Sequence, residues 1–357
     1  MSGLLWVDKY RPKSLAELDK HPEVTAQLRG LVATGDFPHL LVYGPPGAGK
    51  KTRVMAFLAE KFGATALQVK LDHKAVSVTD SKTVEIATLS SPHHVEINPS
   101  DAGPTYDRVI VMNTIRDIAS TVPMTSTGQA AGCKVVVLNE VEKLSRGAQQ
   151  ALRRTMEKYV STCRLVLVCA STSRLIPPLK SRCLSVRVPG HGADSVASTC
   201  RNVCEKERIP APSEAFATTL AERSGGNLRR GLLMLEAAKM SGSAMSGDGR
   251  DIPQPDWIAY VAEIARDILT DQTPKRLYEV RQKYYELLSQ CIPAEMLLRE
   301  LVRNLLAFSP PNLRPAIVRA AAKYDHQLKL GSKPIMHLEA FTAHVMAAQK
   351  QCNIALA

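Results

Sequence analysis

The sequence predicts an α/β fold in which a doubly wound parallel sheet is followed by two helical domains. Within residues 1–188, four or five short apolar runs alternate with helical patterns, as they do when helices cover both faces of a parallel sheet. Residues 257–350 instead keep amphipathic helical spacing throughout. Two stretches rich in Gly, Ser and Pro separate these parts. We therefore expect an α/β domain at 1–188, a small helical domain at 189–246 and an all-α domain at 253–357.

The first predicted strand leads into a glycine-rich turn. Residues 39–43 are an apolar run, residues 44–50 read GPPGAGK, and residues 55–60 have a helical pattern. This order of strand, GxxxxGK turn and helix is what a phosphate-binding loop requires. Backbone N–H groups, the helix N-terminus and the lysine can then surround a polyphosphate. The predicted contacts are Gly44, Pro45, Gly47, Ala48, Gly49, Lys50, Lys51 and Thr52.

The residue after the loop lysine departs from this pattern. A Ser or Thr at that position ligates Mg²⁺ through its hydroxyl, whereas this chain has Lys51. The hydroxyl of Thr52 lies one helical step further on, which turns it about 100° away from the metal position. We therefore expect a nucleotide to bind here but catalysis to be weakened.

A second departure lies at the end of the apolar strand predicted for residues 134–138. In P-loop ATPases this strand end carries an Asp that holds Mg²⁺ and a Glu that polarises the attacking water. Here the first position is Asn139, and Glu140 keeps only the candidate base. Because Lys51 and Asn139 weaken the same function, the sequence indicates a degenerate metal site.

Residues 72–107 are predicted to form a β-hairpin inserted into the sheet domain. The segments 83–87 and 95–97 alternate apolar and polar residues, with Ser-Ser-Pro between them. Helical spacing then returns at 106–122 and again at 144–159, and residues 164–170 form another apolar run. The sheet domain is therefore expected to end with a last strand just before residue 188.

Composition indicates an intracellular, soluble protein. The sequence has no run of 18 apolar residues and no apolar signal-peptide segment at its start. Its eight cysteines are scattered without a CxxC pair, so we expect reduced thiols and no zinc or other metal site. The formal net charge is +12, and residues 1–188 hold 25 Lys and Arg against 16 Asp and Glu. This excess suits contact with a nucleic-acid backbone, although a basic surface for solubility gives the same count.

Several motifs together resemble one protein family. They occur in order along essentially the whole chain: WVDKYRP at 6–12, PHLL at 38–41, NPSD at 98–101, ALRRTME at 151–157, KSRC at 180–183 and GNLR at 226–229. This set is similar to the clamp-loader branch of the AAA+ ATPases, specifically to the small subunits of eukaryotic replication factor C. The GKKT sequence, the hairpin insert and two C-terminal motifs at 330–333 and 337–341 point to one paralogue, at an end of the pentamer.

The resemblance implies roles for three residues of the nucleotide sites. Arg182, in the Ser-Arg-Cys motif, corresponds to an arginine finger that acts in trans on the neighbouring subunit's γ-phosphate. From the residue pattern alone Arg182 is an ordinary arginine at a helix end. Arg229 corresponds to the lid arginine that contacts nucleotide in cis, and the polar sensor of the family is replaced by Ala170. The resemblance thus implies bound ATP or ADP, Mg²⁺ weak or absent, and little hydrolysis.

The resemblance also implies a set of macromolecular contacts. Arg153 and Arg154 correspond to residues at a subunit boundary, although a salt-bridged helix face is an equal alternative. The candidates for phosphate contacts with DNA are Arg108, Arg116, Lys143 and Arg146. The expected partners are four other clamp-loader subunits, the sliding clamp PCNA and primer–template DNA, without a membrane. The implied location is the nucleus.

Two alternative functions follow from the residues. A self-sufficient ATPase motor needs a hydroxyl after Lys50 and an acid at position 139, and the sequence has neither. A scaffold that has abandoned nucleotide would not need the loop and lid residues, yet the sequence retains all five of them: Gly44, Gly47, Gly49, Lys50 and Arg229. Nucleotide binding separates the scaffold from a clamp-loader subunit, and turnover by the isolated chain would favour the motor.

Overall fold

The computed structural model describes residues 3–79, 82–103, 105–120, 134–160, 162–242, 247 and 252–356. The chain divides into two compact units, Met1–Ile252 and Pro253–Ala357. Cys133 and most of the second predicted linker lie outside the described residues.

The first unit is built on a sheet of seven strands within the described residues. They are β1 (Leu40–Tyr43), β2 (Lys70–Thr79), β3 (Lys82–Ser90), β4 (His94–Ile97), β5 (Lys134–Leu138), β6 (Cys163–Cys169) and β7 (Leu184–Arg187). Their spatial order is β2-β3-β4-β5-β6-β1-β7. The five strands from β4 to β7 in that order pair in parallel, which confirms the predicted parallel sheet.

Nine helices accompany this sheet in the described part of the first unit. They are α1 (Trp6–Lys9), α2 (Pro22–Ala33), α3 (Lys50–Phe62), α4 (Asp107–Ser120), α5 (Arg146–Lys158), α6 (Pro177–Lys180), α7 (Ala193–Lys206), α8 (Glu214–Ser224) and α9 (Leu228–Met240). Successive residues of the central strands enter two different cores: Leu41 packs in the core that includes α4 and α5, and Val42 in the core of α2 and α3. Helices on both faces explain why β1 and the middle of β5 and β6 are apolar at successive positions.

The polar residues of the candidate site follow directly from this topology. Strands β1, β5 and β6 are parallel, so their carboxyl ends meet at one edge of the sheet. Gly44, Asn139 and Ala170 each come directly after one of these strands. Ligands bind parallel α/β sheets at this edge, and the phosphate loop lies there.

The antiparallel part of the sheet comprises β2 and β3, which pair from Lys70 with Ser90 to Thr79 with Lys82. The expected second arm, residues 95–97, pairs with β3 as predicted but also runs parallel to β5 inside the core sheet. The alternation in that segment is only three residues long. It does not mark a solvent-exposed face, since Glu96 is 4% exposed.

The N-terminal segment packs against the helices that follow the sheet. Residues 6–9 form a helical turn, and Trp6 lies in a core with residues of α7, α8 and α9. Asn227 and Ser213 cap α9 and α8, because each side chain accepts a hydrogen bond from a backbone N–H three residues on. The three helices and the N-terminal segment therefore share one small apolar core.

The second unit consists of helices. They are α10 (Asp256–Thr270), α11 (Pro274–Ser289), α12 (Ala294–Phe308), α13 (Arg314–Leu330) and α14 (Pro334–Leu356). All five contribute to one core, in which the Tyr284 hydroxyl lies 2.8 Å from that of Thr342. In the part of the chain that the structure describes, every helix is too short or too polar to span a bilayer.

Candidate nucleotide-binding site

The phosphate loop has the backbone conformation that its glycines permit. Gly47 and Gly49 have φ of 73° and 84°, a region that residues with a side chain rarely adopt. Gly49 is also the N-cap of α3, so the loop leads directly into a helix N-terminus. The Lys50 ammonium donates hydrogen bonds of 2.7 and 2.9 Å to the carbonyl oxygens of Gly44 and Pro45. Burial lowers the pKa of Lys50, and the nearby Arg229 charge lowers it further.

The small helical part of the first unit lies against this loop. A Cβ placed on Gly47 would come within 1.7 Å of Asn227 Oδ1, so the close approach requires glycine. Asn227 is the N-cap of α9, because its Oδ1 accepts a hydrogen bond from the Arg230 N–H at 3.1 Å. Arg229 lies in the first turn of this helix. Arg229 lines two cavities, one shared with Lys50 and the other shared with the N-terminal segment. A nucleotide bound in these cavities would therefore lie between the phosphate loop and the helices α7–α9, which are called the lid below.

The N-terminal segment closes the far side of the second cavity. The backbone N–H of Trp6 donates to Glu236 Oε2 at 3.1 Å, and Glu236 is itself buried. Lys9 Nζ and the Tyr10 hydroxyl both donate to Glu207 Oε1, at 2.6 and 2.7 Å. These bonds connect the segment to α9 and to the residue that follows α7. Tyr10 lines the cavity together with loop and lid residues.

The residues at the metal position of the loop form an ion pair. The Lys51 ammonium contacts Glu96 Oε1, and Asn139 Nδ2 donates to the same oxygen at 2.6 Å. Thr52 is half-buried and lines the same cavities. Mg²⁺ requires several oxygen ligands at short distance, whereas this position presents an ammonium and an amide N–H to one carboxylate oxygen. The donor set therefore does not fit Mg²⁺.

Glu140 and Ala170 both line the cavity that contains Lys50. Glu140 has φ of 53° and forms an ion pair of 2.6 Å with Lys143. The Ala170 N–H donates to Glu142 Oε1 at 3.0 Å, and Glu142 lines the cavity that also contains Lys50. Sequence reasoning missed Glu96 and Glu142. Their only signal is that each is an acid at or just beyond the carboxyl end of a strand of the sheet.

Arg182 lies away from these residues, in the short connection between α6 and β7. Its Nε and Nη2 bond Glu157 Oε1 at 2.8 and 2.6 Å, and its Nη1 donates to the Pro178 carbonyl at 2.9 Å. The Arg182 hydrogen bond lowers the pKa of Glu157, and Arg153 contacts the same carboxylate at 3.5 Å. Arg153 and Arg154 are both exposed on α5 and line one cleft. The arrangement is an exposed arginine cluster around one carboxylate.

Three of the four candidate DNA contacts lie close together. Asp107 begins α4 and accepts bonds from the Ser145 N–H and hydroxyl, at 2.6 and 3.0 Å, next to the start of α5. The N-termini of α4 and α5 therefore lie side by side, with Arg108 and Arg146 exposed in their first turns. Lys143 is nearby but pairs with Glu140. The fourth candidate, Arg116, is also exposed but lies two turns further along α4.

The buried His191 predicts a pH dependence of stability. Burial, followed by the charges of His21 and Arg53, lowers its pKa from 6.5 to about 4, and Lys20 adds to this effect. The unfolded chain therefore takes up a proton near pH 6.5 that the folded chain does not, and stability falls as the pH drops from about 6.5 towards 4. His21 contributes in the same direction. Urea unfolding at several pH values should show this loss, and His191→Gln should reduce it, leaving the part that His21 contributes.

The matched control is His326→Gln, which changes an exposed histidine on α13. It should leave the pH profile of the wild type unchanged. An unfolding free energy that stays constant between pH 6.5 and 4 would contradict the assignment of a neutral, buried His191.

Loop, lid and sheet edge together define a P-loop nucleotide-binding protein of the AAA+ class. Family models match three parts of the chain: "DNA polymerase III, delta subunit" at 20–191, "RCF1/5-like, AAA+ ATPase lid domain" at 199–240 and "Replication factor C subunit 3, C-terminal domain" at 257–353. The chain belongs to the family of replication factor C subunits.

Full-length relatives carry this assignment. The chain is 49% identical over 347 residues to "Replication factor C subunit 3" of Mus musculus, covering 97% of this chain and 96% of the mouse protein. It is 41% identical over 346 residues to "Replication factor C subunit 5" of Schizosaccharomyces pombe, covering 96% of each. The GKKT and C-terminal motifs predict the paralogue that is called subunit three in human and subunit five in yeast, and the names of these relatives confirm it.

A solved structure supports the fold. The "Thermotoga maritima RuvB Holliday junction branch migration motor" aligns with a TM-score of 0.51 at 15% identity, over 83% of this chain and 90% of that chain. At this identity the similarity concerns the fold alone, and it confirms the predicted AAA+ architecture.

Proposed function

We propose that this chain is the end subunit of a pentameric clamp loader, that it binds ATP or ADP without appreciable hydrolysis, and that it donates Arg182 to a neighbouring ATP site. The assembly would open the sliding clamp PCNA and load it onto primer–template DNA in replication and repair, in the nucleus. Sequence identity to replication factor C subunits over nearly the whole chain supports the membership. The second unit is proposed as the collar that holds the five subunits together, and the helices α7–α9 as the lid.

One observation carries the proposed lack of hydrolysis. The phosphate loop, Lys50 and Arg229 are assembled around one cavity, whereas Lys51 forms an ion pair with Glu96 where a metal-binding hydroxyl is required. Nucleotide binding needs the phosphate loop, Lys50 and Arg229, whereas phosphoryl transfer needs a metal ion as well. Ala170 in place of a polar sensor removes a further group that would orient water.

The placement of Arg182 supports its role in trans. Its side chain is one-third exposed and lies in a cluster with Arg153 and Glu157 rather than in this chain's own nucleotide cavity. An arginine finger must reach outward to a neighbour's γ-phosphate, so Arg182 would exchange its bonds to Glu157 and the Pro178 carbonyl for that phosphate in the assembled loader. Arg153 and Arg154 would lie at the same subunit boundary.

The exposed N-termini of α4 and α5 support the proposed DNA contact. Helix N-termini and arginines favour phosphate groups, and Arg108 and Arg146 lie in the first turns of these helices. Lys143 would have to leave Glu140 to join them. Contacts of this kind track the backbone without reading bases, so affinity supplied by them decreases with added salt.

The test of nucleotide binding uses Lys50→Ala. This substitution removes the ammonium that would contact the β- and γ-phosphates, so the affinity of the full chain for fluorescent mant-ADP should fall by about tenfold or more. Lys61→Ala, at the other end of α3, serves as the matched control and should bind as the wild type does.

The same variant separates the alternative functions. In a reconstituted loader with clamp and primed DNA, Lys50→Ala should reduce ATP turnover only slightly, because this site contributes little hydrolysis. A wild-type chain that binds no nucleotide would identify a scaffold. ATP turnover by the isolated chain would identify a self-sufficient motor.

A further inference from the structure

The first turn of α3 carries a second lysine whose charge is held inside the nucleotide site. The Lys51 ammonium contacts the Glu96 carboxylate, which is 4% exposed, and Asn139 donates to the same carboxylate oxygen at 2.6 Å. Lys50 and Arg229 line the same cavity. The ion pair is therefore part of the nucleotide site, with a buried carboxylate and a lysine side chain that is 39% exposed towards the cavity.

Three separate elements hold this ion pair in place. Glu96 belongs to β4, and Asn139 follows the neighbouring parallel strand β5, where its backbone N–H donates to the Ile97 carbonyl at 3.1 Å. Lys51 comes from the N-terminal turn of α3. Because sheet and helix both fix the geometry, the ammonium is held at a set position beside the loop.

The two departures from the usual pattern compensate each other in charge. An Asp and a divalent cation together carry one net positive charge, and so do Asn139 and Lys51. Each change alone would alter the charge beside the phosphates by one unit or more, whereas both together leave it unchanged. A buried carboxylate such as Glu96 also requires a nearby cation, and Lys51 supplies it.

Binding of a divalent cation at this position would be electrostatically unfavourable. It would have to displace the Lys51 ammonium from Glu96, and the displaced ammonium would then lie close to both Lys50 and the metal. Like charges at such distances repel, and the repulsion grows in a partly buried site. The residues therefore favour one resident cation, which the protein chain itself provides.

We infer that the Lys51 ammonium, held by Glu96 and Asn139, takes the place of the divalent cation as the counter-charge of the bound nucleoside diphosphate, so that nucleotide binding is independent of Mg²⁺. This inference rests on the proposed nucleotide binding. It assigns Lys51 as a nucleotide-binding residue, and Glu96 and Asn139 as the residues that position it.

The test measures the affinity of the full chain for mant-ADP in buffer with MgCl₂ and in buffer with EDTA. The wild type should differ by less than about threefold between the two buffers. Lys51→Met removes the counter-charge and should weaken binding by about fivefold or more in both buffers, since it leaves Glu96 beside the phosphates without a cation. Lys61→Met, on the same helix, is the matched control and should behave as the wild type.

The double variant Lys51→Thr with Asn139→Asp converts the site to the usual pattern. It should bind mant-ADP about tenfold or more tightly with MgCl₂ than with EDTA. Binding of Mn²⁺ to the nucleotide-loaded chain, followed by electron paramagnetic resonance, should appear in the double variant and be absent from the wild type.

The outcomes that overturn the inference are distinct from the failure of nucleotide binding itself. A wild-type chain that binds mant-ADP only with MgCl₂ overturns the inference and leaves the proposed function intact. A double variant that binds but stays indifferent to Mg²⁺ also overturns it, because Lys51 and Asn139 would then not decide the metal requirement. A wild type that binds in neither buffer overturns the proposed nucleotide binding and the inference with it.

Discussion

Replacing Arg182 with alanine should remove nearly all hydrolysis at the ATP site that this subunit serves in the assembled loader. An arginine finger acting in trans contributes about 10³–10⁵ in turnover at its site, since it stabilises charge that develops on the transferred phosphoryl group. The measurement is the ATPase rate of the reconstituted loader with clamp and primed DNA. The total rate should fall by the share that the served site contributes, because the other sites keep their own arginines.

Two further variants test whether the loss of turnover is specific to the Arg182 guanidinium. Arg187→Ala changes an exposed arginine at the end of β7, the strand that follows Arg182, and is the matched control. Glu157→Gln removes the carboxylate that bonds Arg182 at two nitrogens but keeps the guanidinium, so it should reduce turnover much less than Arg182→Ala does. A loader that loses its activity with Lys50→Ala and keeps it with Arg182→Ala would show that this chain is a working ATPase.

Gly44→Ala should destabilise the first unit severely and abolish nucleotide binding. A Cβ at this position would come within 1.9 Å of the Val188 carbonyl oxygen, and a backbone atom cannot rotate away. Val188 is held in turn, because its N–H bonds the Tyr43 carbonyl at 2.8 Å and its side chain is fully buried. Relief requires β1 and the loop to move apart from β7, at a cost of about 3–5 kcal/mol in the unfolding free energy.

The control for this prediction lies in the same loop. Gly49 also has a left-handed backbone, but a Cβ there would meet nothing within 4 Å. Gly49→Ala should therefore cost only the conformational strain, about 1–2 kcal/mol. Urea unfolding of both variants compares the two costs directly. Equal destabilisation would mean that the contact with Val188 is not what requires glycine at residue 44.

Much of the first unit could be predicted because its signals are local. Apolar runs bounded by glycine or polar residues mark β1, β5 and β6. Such runs are stable only when they are buried, so each one indicates a core strand. The hairpin was harder to delimit, since β4 is short and buried on both faces although its sequence alternates. The helical turn at Trp6 could not be predicted either. It depends on packing against α9, which lies more than two hundred residues away in the chain.

The candidate site was predictable only in part, for a related reason. The loop and the departures at Lys51 and Asn139 are visible one residue at a time, because each position has a known chemical requirement. Glu96 gives no such signal: an acid between Val95 and Ile97 suits an exposed strand face equally well. Its role depends on strand order, which places β4 beside β5, and no local pattern encodes that order.

The bonds between the N-terminal segment and the lid have a consequence for the time that a nucleotide stays bound. Trp6, Lys9 and Tyr10 connect the segment to α9 and Glu207, across the cavity that loop and lid share. Under the proposed function, these bonds would hold the segment and the lid together beside the bound nucleotide, so we expect its dissociation to be slow compared with a round of clamp loading. Such a subunit would keep one nucleotide bound through many rounds of clamp loading, as a structural ligand and not as a substrate for hydrolysis.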